Sequence, residues 1–196
     1  MESKIYNGKT FNINERGFWE SSDRSGHVYD SSLCIGLIKF FQSSQLVDIL
    51  DLGCGTADYT KQFISKGFKC EAYDGNPNTN LLTEGIGNVL DFSYSFDLKK
   101  KFDCVLSLEV GEHIPKEYEK TFLDNVCNHS KNLIVLSWAV VGQGGDGHVN
   151  CQNNDYVIEQ LKLRGFDYEY EYSNSLRNSS TASWFKNTIM VFRKNG

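Results

Sequence analysis

Ile49-Leu50-Asp51-Leu52-Gly53-Cys54-Gly55-Thr56-Ala57-Asp58-Tyr59-Thr60 decides the fold, and Ala72-Tyr73-Asp74-Gly75-Asn76 completes its meaning one βα unit later. An apolar strand from Val47 to Leu52 runs into a turn with glycines spaced G-x-G, and a helical pattern opens at Thr56 or Ala57. Glycines at such a turn let backbone approach a ligand closely. A second apolar run, Phe68 to Tyr73, ends in an acid, and in a doubly wound sheet an acid at that point reaches a ribose hydroxyl. The pair of segments reads as a nucleoside-binding site.

The third glycine position separates the candidate nucleosides. A dinucleotide fingerprint G-x-G-x-x-G needs Gly at 58, where this chain has Asp58. A pyrophosphate would meet that carboxylate at a helix N-terminus, the wrong sign for an anion site, so NAD is disfavoured. A ligand with no phosphate and a cationic centre fits better, and S-adenosylmethionine (SAM) is one. On the D-x-G-x-G-T strand-loop-helix and the acid ending the second strand, the chain resembles the class I SAM-dependent methyltransferases. The similarity continues through Asn88-Val89-Leu90-Asp91-Phe92, Lys101 to Glu109 and Val110-Gly111-Glu112-His113-Ile114, and covers residues 45 to 194.

The resemblance implies a site. Gly53 and Gly55 would pass close to the methionine part of SAM, Asp51 would brace the loop and the ligand's amino group, and Asp74 would bond the ribose hydroxyls. Asp91 would take the adenine amino group, with Phe92 as its apolar neighbour, and Glu109 would close the fourth strand beside the cofactor. Asn76 belongs to the same site, although Gly75-Asn76-Pro77 departs from the simple helix start of many relatives and alters how the ribose edge is closed. The product would be S-adenosylhomocysteine (SAH). Some such virus-encoded enzymes decorate glycans, and the Gly142-to-Asn150 loop resembles theirs.

From Val47 on, strands near 47–52, 68–73, 86–90, 102–108 and 131–138 alternate with helices near 57–66, 77–84, 116–128 and 152–164. That alternation specifies α/β architecture, a parallel sheet with helices on both faces. Phe166 to Tyr172 and Trp184 to Arg193 read as two final strands joined through Ser173 to Ser183. The resemblance implies a Rossmann-like, doubly wound, seven-stranded sheet, mostly parallel with an antiparallel C-terminal strand. Residues 1–45 stand outside the periodic pattern and read as an N-terminal cap on a 46–196 SAM-binding core, the whole being a single domain. In the cap, Phe11, Phe18 and Trp19 are isolated anchors, Leu33 to Phe41 suggests a packed helix, and Trp19, His27 and Tyr29 are candidates to face the site.

Net charge −5 argues against a phosphate-tracking surface, so nucleic acid is not expected as a partner. The six cysteines form no C-x-x-C pair and read as free thiols in a reducing, cytoplasmic setting. No run approaches the ~20 apolar residues of a membrane span, and Met1 to Tyr6 lack a signal peptide's apolar core.

Methyl transfer to a hydroxyl needs a base, which typically contributes ~10²- to 10⁴-fold. His113, after the fourth strand, and His148, after the fifth, are the candidate general bases. The loop Ser137 to Asn150 is rich in glycine yet carries Gln143, Asp146, His148 and Asn150, a polar set suited to reading hydroxyls. Asp146 and His148 could instead hold a divalent metal that lowers the acceptor's pKa. Only one acid and one imidazole lie in that loop, and the rest would come from Glu109, Glu112 or His113, so a metal is the less favoured reading. His129 reads as a surface residue. The favoured acceptor is a small hydroxylated molecule or glycan. The rivals are a methyltransferase acting on protein or nucleic acid, and a non-catalytic SAM-binding module.

Overall fold

The computed structural model describes residues 2–6, 9–24 and 26–196, with side chains in the first two strands outside the description apart from a few. Phe11 is among those not described. Two sheets organise the chain. The smaller is an antiparallel ribbon of β1 (Glu2–Tyr6), β2 (Lys9–Ile13) and β3 (Trp19–Glu20).

The larger has seven strands, β4 (Asp48–Leu52), β5 (Lys69–Asp74), β6 (Gly87–Val89), β7 (Phe102–Leu108), β8 (Ser130–Ser137), β9 (Phe166–Tyr168) and β10 (Met190–Lys194). Their order is β6-β5-β4-β7-β8-β10-β9. Neighbours from β6 to β8 pair in parallel, whereas β10 runs antiparallel to both β8 and β9. This is the expected Rossmann-like, doubly wound sheet with one reversed strand. Its order turns back between β4 and β7, and open sheets of this kind take ligands beyond the carboxyl ends of the strands at that point.

The intervening helices are α1 (Ser31–Ser43), α2 (Asp58–Ser65), α3 (Thr79–Leu82), α4 (Lys116–His129), α5 (Asn154–Lys162), α6 (Tyr170–Ser179) and α7 (Phe185–Thr188). Alternation along the strands feeds two cores. Leu50, Leu52, Val105 and Ile134 pack with Phe122 of α4 and Leu161 of α5. Ile49, Cys104, Leu106 and Val135 pack with Leu37 of α1, Phe63 of α2 and Leu176 of α6. Each such side chain, fully buried, contributes about 1.5–3 kcal/mol, so both faces hold the strand ends in place.

One carboxylate ties the two ends of the chain. Asp30 caps α1 by accepting from Leu33 N at 3.0 Å, and its second oxygen accepts from Ser180 Oγ, Thr181 N and Ala182 N at 2.7, 2.7 and 2.8 Å. Burial alone would raise its pKa, yet these bonds together hold it far below the ordinary carboxylate range.

Three expectations are corrected. The N-terminal stretch contains the β1-β2-β3 ribbon, which its irregular polarity did not announce. The final segments are not two long strands: only 166–168 pair with 192–194, and Tyr170–Ser179 is helical, as is Phe185–Thr188. The alternating tyrosines there serve a different surface, since Tyr172 packs its ring against Phe40 of α1 at 5.1 Å while Leu176 enters the core. His129 is buried, not at the surface. Its Nδ1 donates to Asn125 O at 2.7 Å, its Nε2 accepts from Leu98 N at 3.1 Å, and the ring stacks on Phe96.

Candidate functional site

A cleft of about 850 Å³ runs along the carboxyl ends of β4, β5 and β7. The cap roofs it with Arg16, Phe18, Trp19, His27 and Tyr29, and the loop 140–148 and Trp184 form its other side. Trp19, His27 and Tyr29, the cap residues expected to face the site, therefore do line the cleft.

The glycine loop is tied down by the strand beside it. Gly53 N and Cys54 N both donate to Tyr73 O, at 2.8 and 3.1 Å. Asp74 then clamps the loop to its own turn, accepting from Gly55 N on one oxygen and Asn76 N on the other, each at 2.9 Å. Gly55 has φ +53°, and a Cβ there would lie 2.6 Å from His27 Nδ1, so glycine is required both by conformation and by the close approach of the cap.

Asp51, at the end of β4, is buried and accepts from Thr60 Oγ1 at 2.5 Å. Burial pushes its carboxyl up to about 7, with the charge of Asp74 adding to the rise and the Thr60 bond opposing it. Asp58 opens α2 and pairs with both its oxygens to Arg24 Nη2, at 2.5 and 2.7 Å. Asn76 lines the cleft but is buried, donating to Ser21 O and accepting from Asn78 N at 3.0 and 2.9 Å. Its role in the structure is to join the cap to the turn after β5.

Asp91 and Phe92 also line the cleft. Asp91 accepts from Ser93 N at 2.9 Å and from Arg16 Nη1 at 3.1 Å, and the Arg16 guanidinium lies over the Tyr94 ring at 4.2 Å. Arg16 carried no signal in the sequence, being one cation in an irregular segment. Glu109 ends β7 at φ +53° and joins three elements. Its oxygens accept from Gln143 Nε2 at 2.9 Å and Thr188 Oγ1 at 3.3 Å, while its amide donates to Ser137 Oγ at 2.8 Å.

At the far end of the cleft, loop 140–150 brings together residues that the sequence separates. Its return is fixed: Trp138 Nε1 donates to Asn150 O at 2.6 Å, and Val149 N and Asn150 N both donate to Glu112 O at 2.9 Å. His113 and His148 consequently meet edge to face, with ring centroids 5.0 Å apart. His113 Nδ1 lies 3.2 Å from Gly147 O and His148 Nδ1 lies 3.3 Å from Gln143 O. A carbonyl only accepts, so Nδ1 bears a proton in each of these contacts, and in His113, which burial keeps neutral, Nε2 retains its lone pair. His148 Nε2 lies 4.0 Å from Glu112 Oε1.

Glu112 is fully buried, and neither of its oxygens makes a hydrogen bond of ordinary geometry, although the backbone amides of Glu112 and Ala139 and the Glu109 carboxyl lie close enough to act on it. Burial, reinforced by Glu109, pushes its carboxyl well above the ordinary range. Burial, with His148 adding to it, pushes His113 down to about 4, so His113 is neutral at physiological pH. Asp146 is exposed and lines the cleft, and it is not one of the Glu112, His113 and His148 group. All six cysteines are free thiols, and among the described residues no helix is long and apolar enough to cross a membrane.

No family model matches the chain, and no characterised protein sequence matches it either. Solved structures do match it. A SAM-dependent methyltransferase from Clostridium acetobutylicum superposes with TM-score 0.67 at 15% identity, over 86% of this chain and 93% of that one. The sugar N-methyltransferase KedS8 from a Streptoalloteichus species gives 0.67 at 12% identity, over 85% and 88%. Magnesium protoporphyrin IX methyltransferase from Synechocystis, with bound SAH, gives 0.62 at 15% identity, over 83% and 82%. Strand order, the reversed β10 and these superpositions agree: the chain has the class I methyltransferase fold.

Proposed function

We propose that this protein is a SAM-dependent methyltransferase that methylates a hydroxyl of a small hydroxylated acceptor such as a sugar. One observation carries the reading: a single cleft joins the clamped glycine loop and its ring of strand-end acids to His113 and His148, behind which Glu112 is buried. Fold alone hosts many reactions, so the residues must supply the argument.

They fit SAM better than a phosphate-bearing nucleotide. The N-terminus of α2, where a pyrophosphate would sit, presents Asp58, already paired with Arg24. Carboxylates at the ends of β4 and β5 suit a ligand with an ammonium and a sulfonium. Asp51 faces the ammonium, Asp74 the ribose and Asp91 with Phe92 the adenine, while Gly53 and Gly55 leave room for the methionine chain. Bound there, SAM supplies a methyl on a sulfonium that departs as SAH.

The protein then aligns the acceptor in line and eases loss of its hydroxyl proton. His113 and His148, with Glu112 behind them, are the groups that activate that hydroxyl. Trp19, which meets the His113 ring edge-on at 5.7 Å, and Gln143 border the space an acceptor would occupy. A net charge of −5 favours an uncharged acceptor over nucleic acid.

Titrating SAM, SAH and NAD into the protein by calorimetry tests the cofactor, and a screen of sugars, phenols and nucleosides for SAH release tests the reaction. Micromolar binding of SAM and SAH without NAD, and turnover on a hydroxylated small molecule lost in His148→Gln, are expected. Binding without turnover on any acceptor favours a non-catalytic module. Turnover only on protein or RNA overturns the acceptor class.

A further inference from the structure

We propose that Glu112, His113 and His148 hold a divalent cation, one that engages the acceptor's oxygen atoms at the far end of the cleft. Ligating atoms of the three residues lie within 4.8 Å of one another. Protein nitrogen and oxygen ligands sit about 2.0–2.2 Å from a transition metal, so two ligands of one ion lie at most about 4.4 Å apart. A small rotation of one side chain therefore closes the set. His148 Nε2 and Glu112 Oε1, at 4.0 Å, already fall within that span.

Three independent features support the assignment. Glu112 is fully buried with neither oxygen in a hydrogen bond of ordinary geometry, an arrangement that leaves a polar group under-satisfied and favours its neutral form, and a cation would take the place of that proton. Both imidazoles spend Nδ1–H on backbone carbonyls, Gly147 O and Gln143 O. That outer-shell arrangement fixes the tautomer of a ligating histidine and leaves Nε2 as the donor atom. The framework is also rigid, because the loop that carries His148 is bonded through Val149 N and Asn150 N to the carbonyl of Glu112 itself. Gly145 lets the loop press on the His148 ring, since a Cβ there would lie 2.2 Å from Nε2.

Two imidazoles and one carboxylate leave coordination positions open and favour manganese, iron, cobalt or zinc over magnesium, which prefers oxygen donors. Facing the cleft, such an ion would take the acceptor hydroxyl and an adjacent oxygen, selecting acceptors with vicinal oxygens. It lowers the pKa of the hydroxyl, whose proton goes to solvent, and the O–CH3 bond forms as the S–CH3 bond breaks. The histidines then act through the cation and do not take the proton themselves.

This inference rests on the methyltransferase reading for its chemistry, but its test does not. Chelator-treated protein is titrated by calorimetry with Co²⁺, Mn²⁺, Zn²⁺ and Mg²⁺ alone, and the Co²⁺ complex is followed by its visible absorption. One Co²⁺ per chain, with d–d bands and affinity reduced at least 100-fold in both Glu112→Gln and His148→Gln, is expected. Circular dichroism and SAM titration of the same variants report whether they fold, and His113→Gln serves where one of them does not. No cation binding, or binding undiminished in the folded variants, overturns the site. Cation binding without SAM binding retains the site and sinks the methyltransferase reading; SAM binding without cation binding does the reverse.

Discussion

At the glycine-loop end of the cleft every strand-end acid is already bonded: Asp51 by Thr60, Asp74 by Gly55 and Asn76, and Asp91 by Ser93 and Arg16. At the opposite end Glu112, more deeply buried than Asp74 or Asp91, makes no hydrogen bond of ordinary geometry. Partnered carboxylates set a shape. One left without good bonds behind the cleft wall costs stability, and such a cost is tolerated where a ligand offsets it. The cleft thus divides into an end whose form is built by the protein's own bonds and an end whose polar groups are held for something else.

The largest expected effect sharpens the first half of that contrast. Asp51 is raised from 3.8 to about 7, so the folded protein keeps a proton that the unfolded chain releases. Stability should fall as pH rises from about 4 to about 7, by about 1.4 kcal/mol for each step of one in pH, and level off above. Asp51→Asn should flatten that profile in denaturant melts, and an unchanged slope would remove Asp51 as its source. Binding a cationic ligand beside Asp51 should expel the same proton, read as a dependence of the calorimetric heat on buffer ionisation enthalpy near pH 6.

Next comes Asp74→Ala, which loses the clamp and any ribose contact together. A hydrogen bond to a charged group contributes about 1.5–3 kcal/mol, so SAM affinity should fall about 10- to 100-fold. Unaltered affinity would mean that the glycine loop holds its form without the clamp.

Glu112→Leu tests the other end with the opposite sign. Removing a buried carboxyl left without good bonds should raise the stability of the cation-free protein by about 1–3 kcal/mol, visible as a Tm increase of about 2–4 °C for each kcal/mol in a chain of this size. A loss of stability would place a hidden partner on Glu112 and erase the contrast. Smallest is Arg16→Ala. The pair with Asp91 is partly exposed, so SAM affinity should change less than about fivefold, with the change shrinking further at high salt. A larger drop would make Arg16 part of the cofactor site.

Much of the first end was legible in sequence because its information is local. Strand, glycine turn and terminal acid lie within a few residues of one another, and β4, β5, β7 and β8 start and stop within a residue or two of the hydrophobic pattern. The second end is assembled from distance. Val110-Gly111-Glu112-His113 looks like an ordinary turn until Asn150 and Trp138 close over it, and nothing in the spacing of Glu112 and His148 says that they meet. His129 failed for a similar reason, its cover coming from Phe96 and Leu98 some thirty residues upstream. The tyrosines of 168–172 alternate as a strand would, but Glu169 N donates to Val191 O at 2.8 Å, and the ladder ends there as α6 turns back over α1.

Asp30 bonds residues that follow it by 150 to 152 positions. A nascent chain on the ribosome therefore exposes α1 long before the groups that complete its cap have been made. Until the stretch from Ser180 to Ala182 leaves the exit tunnel, that carboxylate can serve only Leu33. Final locking of the sheet's first helix should thus wait for that stretch to emerge, and arrested chains ending before residue 180 should show α1 open to protease while chains in which Ser180 to Ala182 have emerged protect it.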